Sequence, residues 1–147
     1  MAYTRWLDAR YRTAGLLPAG LHVTLPNERE WEKAARGGRS TLPMPLILPA
    51  RDLPGSPAAG ALQQNPTPQR RYPWGGDPDA ERANVGESQI GATSAAGAYA
   101  LGASPYGAED LAGNVWEWTR SLYRLERQNS EFRLPYLPDD GRENFGA

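Results

Sequence analysis

In the stretch Gly113-Asn114-Val115-Trp116-Glu117-Trp118-Thr119 a glutamate stands between two tryptophans. Apart from Glu117, residues 115 to 119 are β-branched or aromatic, the composition of a short strand. Side chains alternate along a strand, so Val115 and Glu117 share one face while Trp116 and Trp118 share the other. A carboxylate held beside that much apolar surface requires a cation, a metal or several N–H groups. Asp110, just upstream, is placed to share the same partner. Two carboxylates and the carbonyls of an irregular Gly113-Asn114 segment make an oxygen-rich cage of the kind Ca²⁺ accepts. The alternative is an aromatic strand in which Glu117 pairs with an arginine.

At 147 residues the chain has room for one domain with a core. Sixteen basic and seventeen acidic residues leave a net charge of −1, which gives no electrostatic case for nucleic acid or an anionic membrane as partner. The sequence has neither a spanning apolar run nor a signal-peptide pattern, so a soluble, cytoplasmic chain is expected. Cysteine is absent, which excludes disulfides, thiolate metal sites and thiol catalysis within these residues. Fourteen prolines and sixteen glycines point to a globular protein made largely of loops and turns.

Residues 2 to 14 read as a helix with Tyr3, Trp6, Leu7, Tyr11 and Ala14 on one apolar stripe, ending at Gly15. Arg10 falls within that stripe, either snorkelling or pairing with a buried carboxylate. Leu21 to Leu25 alternate as a short strand. Asn27 with Glu30 forms a capping box for a second helix, with Trp31, Ala34 and Ala35 as its buried side and Gly37 at its stop. His22, the only histidine, is expected on the surface or packed on a strand.

Half the prolines fall between Arg39 and Arg71, with no sustained helical or strand period. This segment is expected to be a surface excursion, or else a binding loop that docks Leu46-Ile47-Leu48 on a partner. Tyr72-Pro73-Trp74-Gly75 reads as a rigid aromatic turn.

Asp110-Leu111-Ala112-Gly113-Asn114-Val115-Trp116-Glu117-Trp118-Thr119 resembles the signature of the formylglycine-generating-enzyme and sulfatase-modifying-factor family. Four other stretches match in order: Leu25 to Gly38, Tyr72 to Gly75, Ala83 to Gly86 and Ser104 to Gly107. The resemblance implies an α+β, C-type-lectin-like fold of two helices, short twisted strands and much loop, with residues 39 to 71 as an insertion. It also implies a single domain, 1 to 147, that is partial at both ends. A core around Trp6, Trp31, Trp74 and one or both of Trp116 and Trp118 is expected, with apolar surface left exposed, so that the chain is marginally stable or completed by another chain.

The same resemblance implies two Ca²⁺ positions. One falls on the side chains of Asp110 and Glu117 with the carbonyls of Gly113 and Val115, and keeps both carboxylates. The other falls on Asn84, Val85, Ser88 and Ile90. There Ser88 replaces a carboxylate, so the site is expected to be weak or empty unless Glu87 compensates. The family's formylglycine-generating oxidases bind copper through a cysteine pair. With no cysteine in this chain, no copper site is expected here. Two functions follow from different classes. One is a noncatalytic recognition domain for a protein or small-molecule ligand, as in bacterial signalling or defence proteins and retroelement-diversified variable proteins. The other is a fragment of an oxidase that modifies sulfatases.

Overall fold

The computed structural model describes residues 2–45, 47, 49–52, 61–122, 136–137 and 141–143. They fall into two compact units, Met1–Trp31 with Trp118–Ala147, and Glu32–Glu117. Among the described residues the regular elements are two α-helices and one two-stranded sheet, an α+β composition, joined by turns and isolated 3-10 turns.

In the first unit, helix α1 spans Ala2–Thr13. Gly15 ends it at φ 67°, with Leu16 N–H donating to Tyr11 O at 2.9 Å and Gly15 N–H to Arg12 O at 3.0 Å. This pair of bonds is the Schellman closure, which needs a left-handed residue after the helix. The sheltered side of α1 carries Leu7, Asp8 and Tyr11, whereas Tyr3 and Trp6 face solvent. The expected stripe is therefore rotated. Trp6 is 53% exposed, its ring centroid 5.6 Å from that of Tyr3, and the Arg10 guanidinium lies 5.3 Å from the Trp6 centroid. Arg10 thus covers an exposed aromatic ring rather than a buried carboxylate.

Leu21–Leu25 form no strand, and side chains take up part of their polar backbone. Val23 N–H donates to Asp8 Oδ1 at 2.7 Å, and Arg12 Nη2 lies 2.9 Å from His22 Nδ1 and also donates to Leu21 O. His22 is exposed, as expected.

Helix α2 spans Glu28–Arg36. Its capping box is complete: Glu30 N–H donates to Asn27 Oδ1 at 2.7 Å and Asn27 N–H to Glu30 Oε2 at 2.8 Å. Acidic Glu28 and Glu30 stand at its positive end and basic Lys33 and Arg36 at its negative end.

In the second unit, strands β1 (Ser40–Thr41) and β2 (Gln63–Gln64) pair antiparallel, Ser40 opposite Gln64 and Thr41 opposite Gln63. The proline-rich excursion is therefore tied at its root. Asn65, 2% exposed, completes the tie: its Nδ2 donates to Gly38 O at 2.8 Å, its N–H to Arg39 O at 2.9 Å, and its Oδ1 accepts from Arg70 Nη2 at 2.8 Å and Thr67 N–H at 3.1 Å. Ile47 is exposed, while Leu46 and Leu48 lie outside the described residues. The aromatic turn forms as expected. Tyr72 and Gly75 exchange both backbone bonds at 2.9 and 3.0 Å, and the Tyr72 and Trp74 rings stack with centroids 5.1 Å apart.

The expected tryptophan core is not found. Trp116 and Trp118 are 101% and 85% exposed and residues 115–119 form no strand. Trp31 and Trp74 are half-buried. Among the described residues the buried hydrophobic side chains are Ala35 and Ala83. Both are small, and burying an alanine removes little apolar area from water.

Candidate functional site

The two segments expected to hold cations meet in the second unit. Gly113 has φ 82° and passes so close to Asn84 that a Cβ on it would lie 2.3 Å from Asn84 O. That same carbonyl accepts the Asn114 N–H at 2.8 Å. Asn114, at φ 62°, reaches the other way: its Oδ1 accepts from Ser94 N–H at 3.0 Å and its Nδ2 donates to Ser94 O at 3.3 Å. Asparagine is among the few non-glycine residues that adopt the left-handed conformation, and here its amide is held by the backbone of Ser94.

In the Asp110–Glu117 segment, Asp110 also sits left-handed at φ 56°, and its Oδ2 accepts the Gly97 N–H at 3.2 Å. Gly113 O accepts the Val115 N–H at 2.9 Å, closing a tight turn. Glu117 is exposed. No group of three or more His, Cys, Asp or Glu side chains converges among the described residues. A cation here would rest on the Asp110 and Glu117 carboxylates and the Gly113 and Val115 carbonyls. Oxygen donors with two negative charges suit a hard cation such as Ca²⁺.

The Asn84–Ile90 segment is organised differently. A single 3-10 turn, Gly86–Ser88, brings the Ser88 hydroxyl back onto residue 85. Ser88 Oγ donates to Val85 O at 2.6 Å, accepts the Val85 N–H at 3.1 Å and lies 3.4 Å from Asn84 Oδ1. The Asn84 amide nitrogen donates to Ala92 O at 2.8 Å. Asn84, Val85 and Ser88 are thus drawn together, while Ile90 lies beyond the left-handed Gln89 with its side chain exposed. Glu87 is exposed as well.

A second polar centre, in the first unit, was not foreseen as a group. The Arg120 side chain is 12% exposed. It donates to Glu143 Oε2 at 2.8 Å, Glu30 Oε1 at 3.1 Å and Leu25 O at 2.6 Å. Glu143, with 1% side-chain exposure, also accepts from Tyr136 OH at 2.5 Å and Ser121 Oγ at 3.3 Å. Asn27 Nδ2 donates to Tyr136 OH at 2.9 Å, so the α2 capping box is part of the same network. Burial first, then the Glu143 carboxylate, push the Tyr136 phenol up to about 12. The sequence signal was present only in pieces, with Arg120 just after the tryptophan segment and Glu143 in the stretch Asp139-Asp140-Gly141-Arg142-Glu143.

Residues 1–139 match the model of the sulfatase-modifying factor enzyme 1-like domain. The chain is 40% identical over 101 residues to a hercynine oxygenase of Mycolicibacterium smegmatis, covering 68% of this chain and 18% of that protein. It is 34% identical over 123 residues to a formylglycine-generating enzyme of Mycobacterium tuberculosis, covering 84% of this chain and 30% of that protein. With an inactive C-alpha-formylglycine-generating enzyme 2 of Bos taurus it shares 32% identity over 138 residues, 88% of this chain and 35% of that protein. The chain therefore spans between about a fifth and a third of the length of these relatives. No solved structure gives a significant match. With its family model running through both candidate loops and the α2 cap, this chain belongs to the sulfatase-modifying factor family, together with formylglycine-generating enzymes and hercynine oxygenases.

Proposed function

We propose that this chain is a noncatalytic recognition domain on a formylglycine-generating-enzyme-like scaffold of C-type-lectin type, stabilised by Ca²⁺ at Asp110, Gly113, Val115 and Glu117. The observation that carries this reading is the donor inventory: the 147 residues hold no cysteine and one histidine. A copper site of soft thiolates cannot be assembled from them, nor an iron site of several imidazoles. The relative described as inactive shows that the family includes members without the oxidase activity. The exposed Trp116 and Trp118 supply large apolar area for a protein or small-molecule partner, since tryptophan is among the residues that carry most binding energy at interfaces.

A second reading, a piece of an oxygen-using enzyme, is favoured by the identity to the hercynine oxygenase and the formylglycine-generating enzyme. Two measurements separate them. Thermal melting with increasing Ca²⁺ is expected to raise the melting temperature of the wild type and to leave Glu117→Gln unchanged; equal behaviour of the two proteins removes calcium from the reading. Incubating the purified chain with Cu(I), O₂ and a cysteine-containing peptide, followed by mass spectrometry, is expected to leave the cysteine intact. Formylglycine in the product would establish the oxidase reading.

A further inference from the structure

The two candidate cation loops differ in what already fills their oxygen atoms. We propose that in the Asn84–Ile90 loop the Ser88 hydroxyl takes the place of a cation, so that this loop is closed by hydrogen bonds alone and binds no Ca²⁺. The inference concerns a position that the family resemblance assigns to calcium, and it stands whether or not the Asp110–Glu117 segment binds the ion.

The geometry carries it. Val85 O accepts twice from the same residue, from Ser88 N–H at 3.0 Å and from Ser88 Oγ at 2.6 Å. A carbonyl has two lone pairs, so both are occupied. The Ser88 hydroxyl has one proton, which it gives to Val85, and it accepts the Val85 N–H at 3.1 Å. Asn84 Oδ1, at 3.4 Å from Ser88 Oγ, completes a cluster of three oxygens around the position of that proton. Ca²⁺ takes six to eight oxygen ligands, and its affinity depends on how many are charged. Here the three oxygens are neutral, two already serve hydrogen bonds, and the neighbouring carboxylate, Glu87, is exposed. A cation would have to break both Ser88-to-Val85 bonds and shed its own water for no formal charge in return. The donor set does not fit the ion.

The loop's closure is thereby moved from an external ligand to a side chain. Replacing Ser88 with aspartate adds the missing charge and removes the competing proton, so it should convert the loop into a cation site. Replacing it with alanine should open the loop with no metal present.

The test uses per-residue amide signals of the 147-residue chain by NMR, with circular dichroism to verify folding of each variant. In Glu117→Gln, which disables the other segment, millimolar Ca²⁺ is expected to leave the amides of Val85 to Ile90 unmoved. Adding Ser88→Asp to that variant is expected to produce saturable shifts there, with a dissociation constant of about 10⁻⁴ to 10⁻³ M, the range of weak calcium modules. In an otherwise wild-type chain without metal, Ser88→Ala is expected to speed hydrogen exchange at Val85 by roughly two- to tenfold, the effect of losing one hydrogen bond. Saturable shifts at Val85 to Ser88 without the aspartate overturn the proposal. So does unchanged exchange at Val85 in Ser88→Ala. If Ser88→Asp gains no calcium response, the three oxygens do not form a cation cage, and the hydroxyl stands in for nothing.

Discussion

Arg120→Met is the most informative single change in the first unit. The guanidinium is 12% exposed and its main partner, the Glu143 side chain, 1%. Methionine keeps much of the apolar stem but removes the charge, leaving a buried carboxylate without its cation. Breaking a buried pair from one side costs about 3–5 kcal/mol. Glu143 retains its bonds from Tyr136 OH and Ser121 Oγ, which holds the loss near the lower end. The pair with Glu30 adds little, because that carboxylate is 54% exposed and screened by water. Leu25 O loses its Arg120 donor, worth roughly 1 kcal/mol. The expected sum is about 3–4 kcal/mol, a large fraction of a typical domain's stability of about 5–15 kcal/mol. Native-state hydrogen exchange at the amides of Asn27 and Glu143, both in the same compact unit, is the assay. Exchange should accelerate by roughly two to three orders of magnitude. Adding Glu143→Gln to Arg120→Met should recover part of the loss, because a neutral amide is cheaper to bury than an unpaired carboxylate. A loss under about 1 kcal/mol, or no recovery in the double variant, would refute the reasoning.

Two further outcomes are expected. Gly113→Ala combines a left-handed backbone with a Cβ 2.3 Å from Asn84 O, so it should cost about 2–4 kcal/mol and displace the Asn114 N–H from that carbonyl; urea unfolding reads the first, the Asn114 amide shift the second. Tyr136 should ionise near pH 12 in an ultraviolet titration. Its folded value lies above its ordinary one, so its contribution to stability is whole below pH 10 and is lost as pH rises from 10 toward about 12; ionisation of Tyr136 at its ordinary value of 10 would refute the burial of its hydroxyl.

Local chemistry was what the sequence expressed well. Asn27 and Glu30 announce the start of α2, because a capping box needs only residues three apart, and both bonds form. Gly15 marks the end of α1 for the same local reason. Strand pairing was not legible at Leu21–Leu25 or Val115–Thr119, because a strand exists only with a partner and composition cannot supply one. Helix α1 presented an ambiguous stripe: Tyr3, Trp6, Leu7 and Tyr11 span a wide arc, and packing selected the half with Leu7, Tyr11 and Asp8. The pairing of Arg120 with Glu143 was hidden because it joins two loops with no shared motif. At the candidate cation loops the residue types at Asn84, Asp110 and Gly113 were readable through the resemblance. The inward turn of the Ser88 hydroxyl onto Val85 was not, since the same serine would serve equally well facing water.

The root of the proline-rich excursion has a consequence for how this protein can vary. Strands β1 and β2 and the Asn65 side chain fix the two ends of the intervening chain beside each other. Once the ends are held, the entropy of closing a flexible loop grows only with the logarithm of its length, about 0.6 kcal/mol for each doubling. A change in the number of residues between Thr41 and Gln63 should therefore cost little in closure entropy, and an engineer could graft a foreign peptide there. The freedom ends at Asn65, where a single substitution would release Gly38, Thr67 and Arg70 together.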